Sequence, residues 1–164
     1  MSNLLWGSIV INVFTIMGLI FVIIYFKDVK KTKKTLEKYS NEIDKIKMDV
    51  ASPETIYEKK ARIFLTRDYL INISSGLEIY NYEDILWIYP YEFRQNGIVT
   101  QKSIYLVDKD TKAHVISTLS PSKKNNIIFD ELYENLALRT PQAMHGYSKE
   151  NADNLKNMSK KKKL

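Results

Sequence analysis

The sequence predicts an α+β chain: a transmembrane helix and a helical stalk, then an antiparallel β domain closed by one C-terminal helix. Three observations carry that expectation. An uncharged stretch runs from Leu4 to Phe26 and ends at Lys27. Near Ala61 the apolar residues stop following a helical period and begin to alternate. A series of turn signals follows, Asn96-Gly97 the strongest, and past Ser120-Pro121-Ser122 comes one apolar stripe at helical spacing.

The stretch Leu4 to Phe26 holds 23 residues, 15 of them Leu, Ile, Val or Phe. At a rise of about 1.5 Å per residue it makes a helix of roughly 34 Å, against a hydrocarbon core of about 30 Å. Those apolar residues favour insertion by about 5 to 9 kcal/mol in total. A cleaved leader would carry a positive start and a small-residue cleavage site, and this stretch has neither, so the expectation is an uncleaved anchor. Lys27, Lys30, Lys31, Lys33 and Lys34 crowd its C-terminal side against the single Asp28. The positive-inside rule then predicts a single-pass protein of the cell membrane, N-terminus outside and domain in the cytoplasm. The absence of cysteine agrees with a reducing compartment.

The formal charge of +6 resides mostly in those five lysines and in Lys160, Lys161, Lys162 and Lys163. A basic excess confined to such positions points to anionic headgroups of a lipid bilayer. No basic-aromatic recognition pattern accompanies it, so nucleic acid is not expected as a partner. Four parts follow: an anchor over 1–26, a stalk over 27–50, a β domain over 51–140 and a basic tail over 141–164.

From Lys27 to Val50 the helix is expected to continue. Val29, Leu36, Ile43 and Val50 recur every seven residues, with Thr32, Tyr39 and Ile46 between them. That seam predicts either a short coiled coil forming a homodimer or one amphipathic helix resting on a surface. Ala51-Ser52-Pro53-Glu54 interrupts it. Ser52 as a cap and Pro53 at a first helical position predict a brief helical hinge reaching Lys59 or Lys60.

Six strands are expected next: Arg62–Thr66, Tyr69–Ile73, Leu77–Tyr82, Asp84–Gln95, Ile98–Asp108 and Ala113–Leu119. Arg67-Asp68 turns the first pair, and Asn96-Gly97 turns the long pair as a hairpin. Pro90 must occupy a bulge or an edge, because it cannot donate to a ladder. Ile128, Phe129, Leu132, Tyr133 and Leu136 then form the covering face of a helix ending near Arg139. Gln142 to Tyr147 is expected to fold back on the domain, and Asn151 onward to be mobile apart from a turn near Leu155.

Hairpins followed by one amphipathic helix are the order of a pleckstrin-homology-like domain. Ile63-Phe64-Leu65-Thr66-Arg67-Asp68-Tyr69-Leu70-Ile71, followed by Tyr82-Glu83-Asp84-Ile85-Leu86-Trp87-Ile88-Tyr89, resembles the bacterial PH-like membrane proteins. The resemblance spans residues 55 to 139 and implies a fold and an address without any catalytic residue. It also implies a seventh strand, with Glu54–Lys60 or Arg94–Gln101 as the places for it.

Chemistry is sparse. His114 and His145 have no second ligand at metal spacing, and no Gly-rich phosphate loop occurs, so no metal, cofactor or catalytic residue is assigned. Asp68, Glu83, Asp84, Asp108 and Asp110 fall at turns, where carboxylates serve as solvated turn-formers. Seven tyrosines lie between residues 57 and 105, with Trp87 among them; they are sheet and core material or an aromatic binding groove. The expected function is therefore a non-catalytic, membrane-anchored interaction module offering an edge or groove to a partner protein. The alternative is a sensor of anionic lipid headgroups using Lys59, Lys60, Arg62 and Arg67.

Overall fold

The computed structural model describes residues 2–161, with side chains over 20–160. Its helices are α1 (Ser2–Lys38), α2 (Ile43–Val50), α3 (Lys123–Arg139) and α4 (Lys149–Lys161). Its strands are β1 (Ile56–Glu58), β2 (Ile63–Leu65), β3 (Tyr69–Asn72), β4 (Glu78–Asn81), β5 (Ile85–Gln95), β6 (Ile98–Asp108), β7 (Ala113–Leu119) and β8 (Met144–His145). They form two four-stranded sheets, ordered β1-β2-β3-β4 and β7-β6-β5-β8. Every pairing is antiparallel except β5 with β8.

The α+β class holds, and the membrane anchor does not. Among the described residues no helix is long and apolar enough to cross a membrane. This corrects the span expected over Leu4–Phe26, and with it the single-pass localisation and the N-out topology. Residues 4–19 of that stretch lie outside the described side chains. What remains, Ile20 to Phe26, is apolar and exposed. Seven residues cover only about 10 Å of helix, a third of a hydrocarbon core of about 30 Å.

Two cores lie on the two faces of the first sheet. Period-two alternation sends Ile63, Leu65, Leu70 and Tyr80 toward the second sheet, where they meet Ile88, Ile104, Leu106 and Ile116. Phe129, Leu132 and Leu136 of α3 close this core. The helix begins where expected: the Ser122 hydroxyl accepts from the Asn125 backbone N–H at 3.1 Å. The opposite face carries Tyr69, Ile71 and Ile79, and Tyr39 and Ile46 cover them.

That second core explains why the stalk is not one helix. Α1 ends at Lys38, a 3-10 turn spans Ser40–Glu42, and α2 restarts at Ile43. The seam positions Tyr39 and Ile46 pack against the domain's own sheet, while Val29 and Leu36 stay exposed on α1. Thr32 is spent on the domain as well, its hydroxyl accepting from Leu77 N–H at 2.9 Å. The helix passes so close to the β3–β4 turn that a Cβ on Gly76 would stand 2.8 Å from the Asp28 carbonyl oxygen.

Asp49 secures α2. Its buried carboxylate accepts from the Thr66 hydroxyl at 2.7 Å and from Asp68 N–H at 3.0 Å, with the Arg67 guanidinium 3.6 Å away. The helical hinge expected after Ser52 is instead a turn leading into β1, which lies within Glu54–Lys60. Β-branched Thr55 and Ile56 with Tyr57 suit an edge strand better than a helix. Beyond α3, residues 142–147 fold back as expected, and the segment expected to be mobile forms α4. Ser148 starts that helix by accepting from Asn151 N–H at 3.0 Å.

Candidate interaction site

The hairpin of β5 and β6 is the longest pairing in the fold, eleven residues on each strand. Asn96 (φ 52°) and Gly97 (φ 79°) turn it, both left-handed as a two-residue primed turn requires. Alternation gives β5 two faces of different character. Ile88 points into the core with Ile104 and Leu106 of β6, all fully buried. Trp87, Tyr89, Tyr91 and Phe93 occupy the other face, an aromatic stripe at every second residue.

The stripe is built by ring packing. Tyr89 lies opposite Tyr105 across the ladder, their rings stacked at 5.2 Å and 5°. Tyr91 meets Tyr105 edge-on at 5.9 Å. Tyr147, brought over by the returning C-terminal segment, stacks on Trp87 at 5.7 Å and meets Tyr89 at 5.5 Å. The Trp87 indole N–H donates to the Gly146 carbonyl at 2.7 Å, which fixes that segment in place. The rings of Tyr89, Tyr91, Tyr105 and Tyr147, with Pro90 and Glu92, bound a hollow of about 460 Å³. Trp87 is covered, but exposure rises along the stripe to 48% at Tyr91 and 51% at Phe93. Partial burial raises the Tyr89 phenol above its ordinary value, helped by Tyr105 and Tyr147, so Tyr89 keeps a neutral hydroxyl at physiological pH.

The same strand presents a free edge. Β8 pairs with β5 only at Trp87 and Ile88, so among the described residues Tyr89 to Gln95 pair with β6 alone. The Ile88 carbonyl accepts from Gly146 N–H at 3.0 Å, which turns the backbone groups of Ile88 toward the β8 side. By the two-residue period Pro90 and Glu92 turn the same way. Pro90 thus places its missing donor on the free edge, as the sequence requires, and Glu92 offers both an N–H and a carbonyl there. The Glu92 carboxylate is held by Arg94 at 2.7 Å and Lys102 at 3.7 Å, and Arg94 lowers its pKa.

The basic residues expected to bind a headgroup do not converge as one set. Lys60 and Arg62 line a hollow of about 300 Å³ with Ser74, Ser75, Ser117 and Thr118. Arg67 sits at the far end of β2, where it pairs with Asp49 and Asp68. At about 3.3 Å per residue that end is roughly 16 Å from Arg62. Lys59 is exposed in the β1–β2 turn. Of the lysines on the C-terminal side of the expected span, Lys31 is bound into the fold by Glu78 at 2.9 Å and Ser75 at 3.3 Å. Lys162 and Lys163 lie outside the described residues.

The sequence places Trp87 and Tyr89 on one face and counts Tyr91 and Tyr105 among the groove candidates, but gives no place there to Phe93 or Tyr147. The i, i+2, i+4, i+6 spacing from Trp87 to Phe93 was the signal for Tyr91 and Phe93. No protein-family model, curated protein or solved structure matches the chain.

Proposed function

We propose that the chain is a non-catalytic interaction module that captures an extended segment of a partner protein along the free edge of β5. The observation that carries this reading is the coincidence, on residues 89–93, of an unpaired strand edge and an exposed aromatic stripe. An added strand gains main-chain hydrogen bonds from the edge, and its alternate side chains fall on Tyr89, Tyr91 and Phe93. The fitting partner is an extended sequence with apolar residues at every second position. The PH-like resemblance belongs to the same reading; two sheets followed by α3, with β1 in the place of the additional strand, support it.

Selection from a displayed peptide library tests the proposal. Enriched peptides should alternate in apolar character and lose binding to the Y91A/F93A variant. An absence of enrichment, or binding indifferent to that variant, overturns it.

A second reading places an anionic group in the hollow of Lys60 and Arg62. It is favoured by the Ser117 hydroxyl, which is buried there without a hydrogen-bond partner. Binding of vesicles containing anionic lipid that disappears in K60A/R62A would support it, and salt-independent absence of binding would remove it.

A further inference from the structure

We propose a binding site for a phosphate-bearing ligand in the cleft between α1 and the β6–β7 hairpin, independent of the β5 edge. The cleft encloses about 310 Å³ and is floored by β4. Lys31, Lys34 and Lys38 of α1 face Lys109, Lys112 and His114 across it.

The charges around the cleft are unevenly matched. Glu78 is taken by Lys31 at 2.9 Å and Asp84 by Lys109 at 2.7 Å. Asp108 meets the His114 ring at 2.9 Å and accepts from Asp110 N–H and Lys112 N–H, both at 2.9 Å. Asp110 also lines the cleft, beside Lys109, whose ammonium Asp84 already holds. Lys38 lies over the Tyr39 ring at 4.8 Å. Lys34 and Lys112 line opposite sides of the cleft and have no carboxylate within ion-pair distance among the described residues.

A second, independent observation points to a ligand. The buried Tyr39 hydroxyl has no hydrogen-bond partner, and the buried Tyr80 hydroxyl has none within hydrogen-bond distance, the Glu78 carboxylate standing near it but already taken by Lys31. Their residues are only 4% and 8% exposed, and both line this cleft. A buried donor without an acceptor is costly, and a tetrahedral oxyanion offers acceptors in several directions. Its charge would be answered by Lys34 and Lys112, and the hydroxyls would donate to its oxygens as charge-assisted bonds. Burial holds the Tyr80 hydroxyl protonated, and thus a donor, far above neutral pH. The volume accommodates a phosphoryl group with a small attached moiety, at the lower end of ligand pockets of about 300–1,000 Å³.

Calorimetric titration of the full chain with pyrophosphate, at matched ionic strength against chloride, tests the assignment. Vesicles of phosphatidic acid form a second arm, because a lipid and a soluble phosphate share this chemistry. Saturable binding in either arm is expected. It should weaken by about tenfold or more in K34A/K112A and again in Y39F/Y80F. The charge-matched variant K123A/K124A, altered at the exposed start of α3, should bind as the parent does. Each Tyr→Phe change removes a hydroxyl that has no protein partner to lose, so the fold persists in the variants that matter most. Binding in neither arm, or a loss in K123A/K124A equal to that in K34A/K112A, would overturn the proposal.

Discussion

Two groups of tyrosines in this protein obey opposite rules. Tyr69, Tyr80 and Tyr82 are sealed on the two faces of the first sheet; Tyr89, Tyr91 and Tyr105 stand on the outer face of the second. Members of the inner group are sealed among aliphatic core residues, with Tyr69 also edge-on to Tyr39 and Tyr80 to the His114 ring, and within hydrogen-bond distance only Tyr69 finds an acceptor, Glu42 at 2.6 Å. Members of the outer group find one another, as parallel and edge-on rings. A ring packed among aliphatic side chains serves the fold. A ring stacked on its neighbour keeps an edge or a face for something else, at little cost to stability.

The sharpest way to separate the two regions is to empty the inner face of the β5–β6 hairpin. Ile88→Ala removes a fully buried side chain and should destabilise the chain by about 2–5 kcal/mol, read from denaturant midpoints. Asp49→Ala attacks the clasp behind Tyr69. It leaves the Asp68 N–H without its acceptor and the Thr66 hydroxyl with the Tyr69 carbonyl alone, and should cost about 1–3 kcal/mol. Asp49→Asn, which keeps an acceptor oxygen, should cost less.

Alkaline pH distinguishes the groups without mutation. Burial, then Glu42, raises Tyr69 from 10.0 to about 12, and burial lifts Tyr80 and Tyr82 further. A phenol whose folded pKa exceeds its unfolded value binds its proton more tightly in the folded chain. Its contribution is complete below pH 10 and is lost as pH rises above 10 toward the folded pKa. Ultraviolet titration should therefore show Tyr69 ionising before Tyr80 and Tyr82. Tyr80 and Tyr82 should ionise only as the far-ultraviolet signal collapses. Early ionisation of the whole set would contradict the burial described.

The smallest expected stability effect belongs to the outer rings. Y91A/F93A should change unfolding free energy by no more than about 0.5 kcal/mol per site, while removing peptide capture. A large loss of stability would make these rings structural and would sink the comparison.

Much of the β domain was legible along the chain. Asn96-Gly97 can adopt the two left-handed conformations of a tight hairpin, so local chemistry set where the longest ladder turns, while its register shifts at Phe93/Arg94 and Ile85/Trp87 were not legible there. Ser122 and the stripe through Phe129, Leu132 and Leu136 placed α3 in the same way. The hinge at Ser52 misled, because a cap and a proline describe a turn as well as a helix start. The heptad left two readings open: Tyr39 and Ile46 match a coiled-coil seam, and a flat apolar sheet face, where the structure places them, satisfies the same two residues.

Sequence by itself determined the class and six of the eight described strands, and narrowed Pro90 to a bulge or an edge, since each follows from neighbouring residues and their backbone preferences. Only the tertiary structure decided which apolar faces find a partner. It turned half the seam onto the first sheet, carried Tyr147 across to Trp87 and left Tyr91 and Phe93 in the open. It also brought Lys34 to face Lys112 around two unpartnered hydroxyls. Such choices depend on contacts between residues tens of positions apart, and periodicity cannot encode which of two compatible surfaces a side chain will meet.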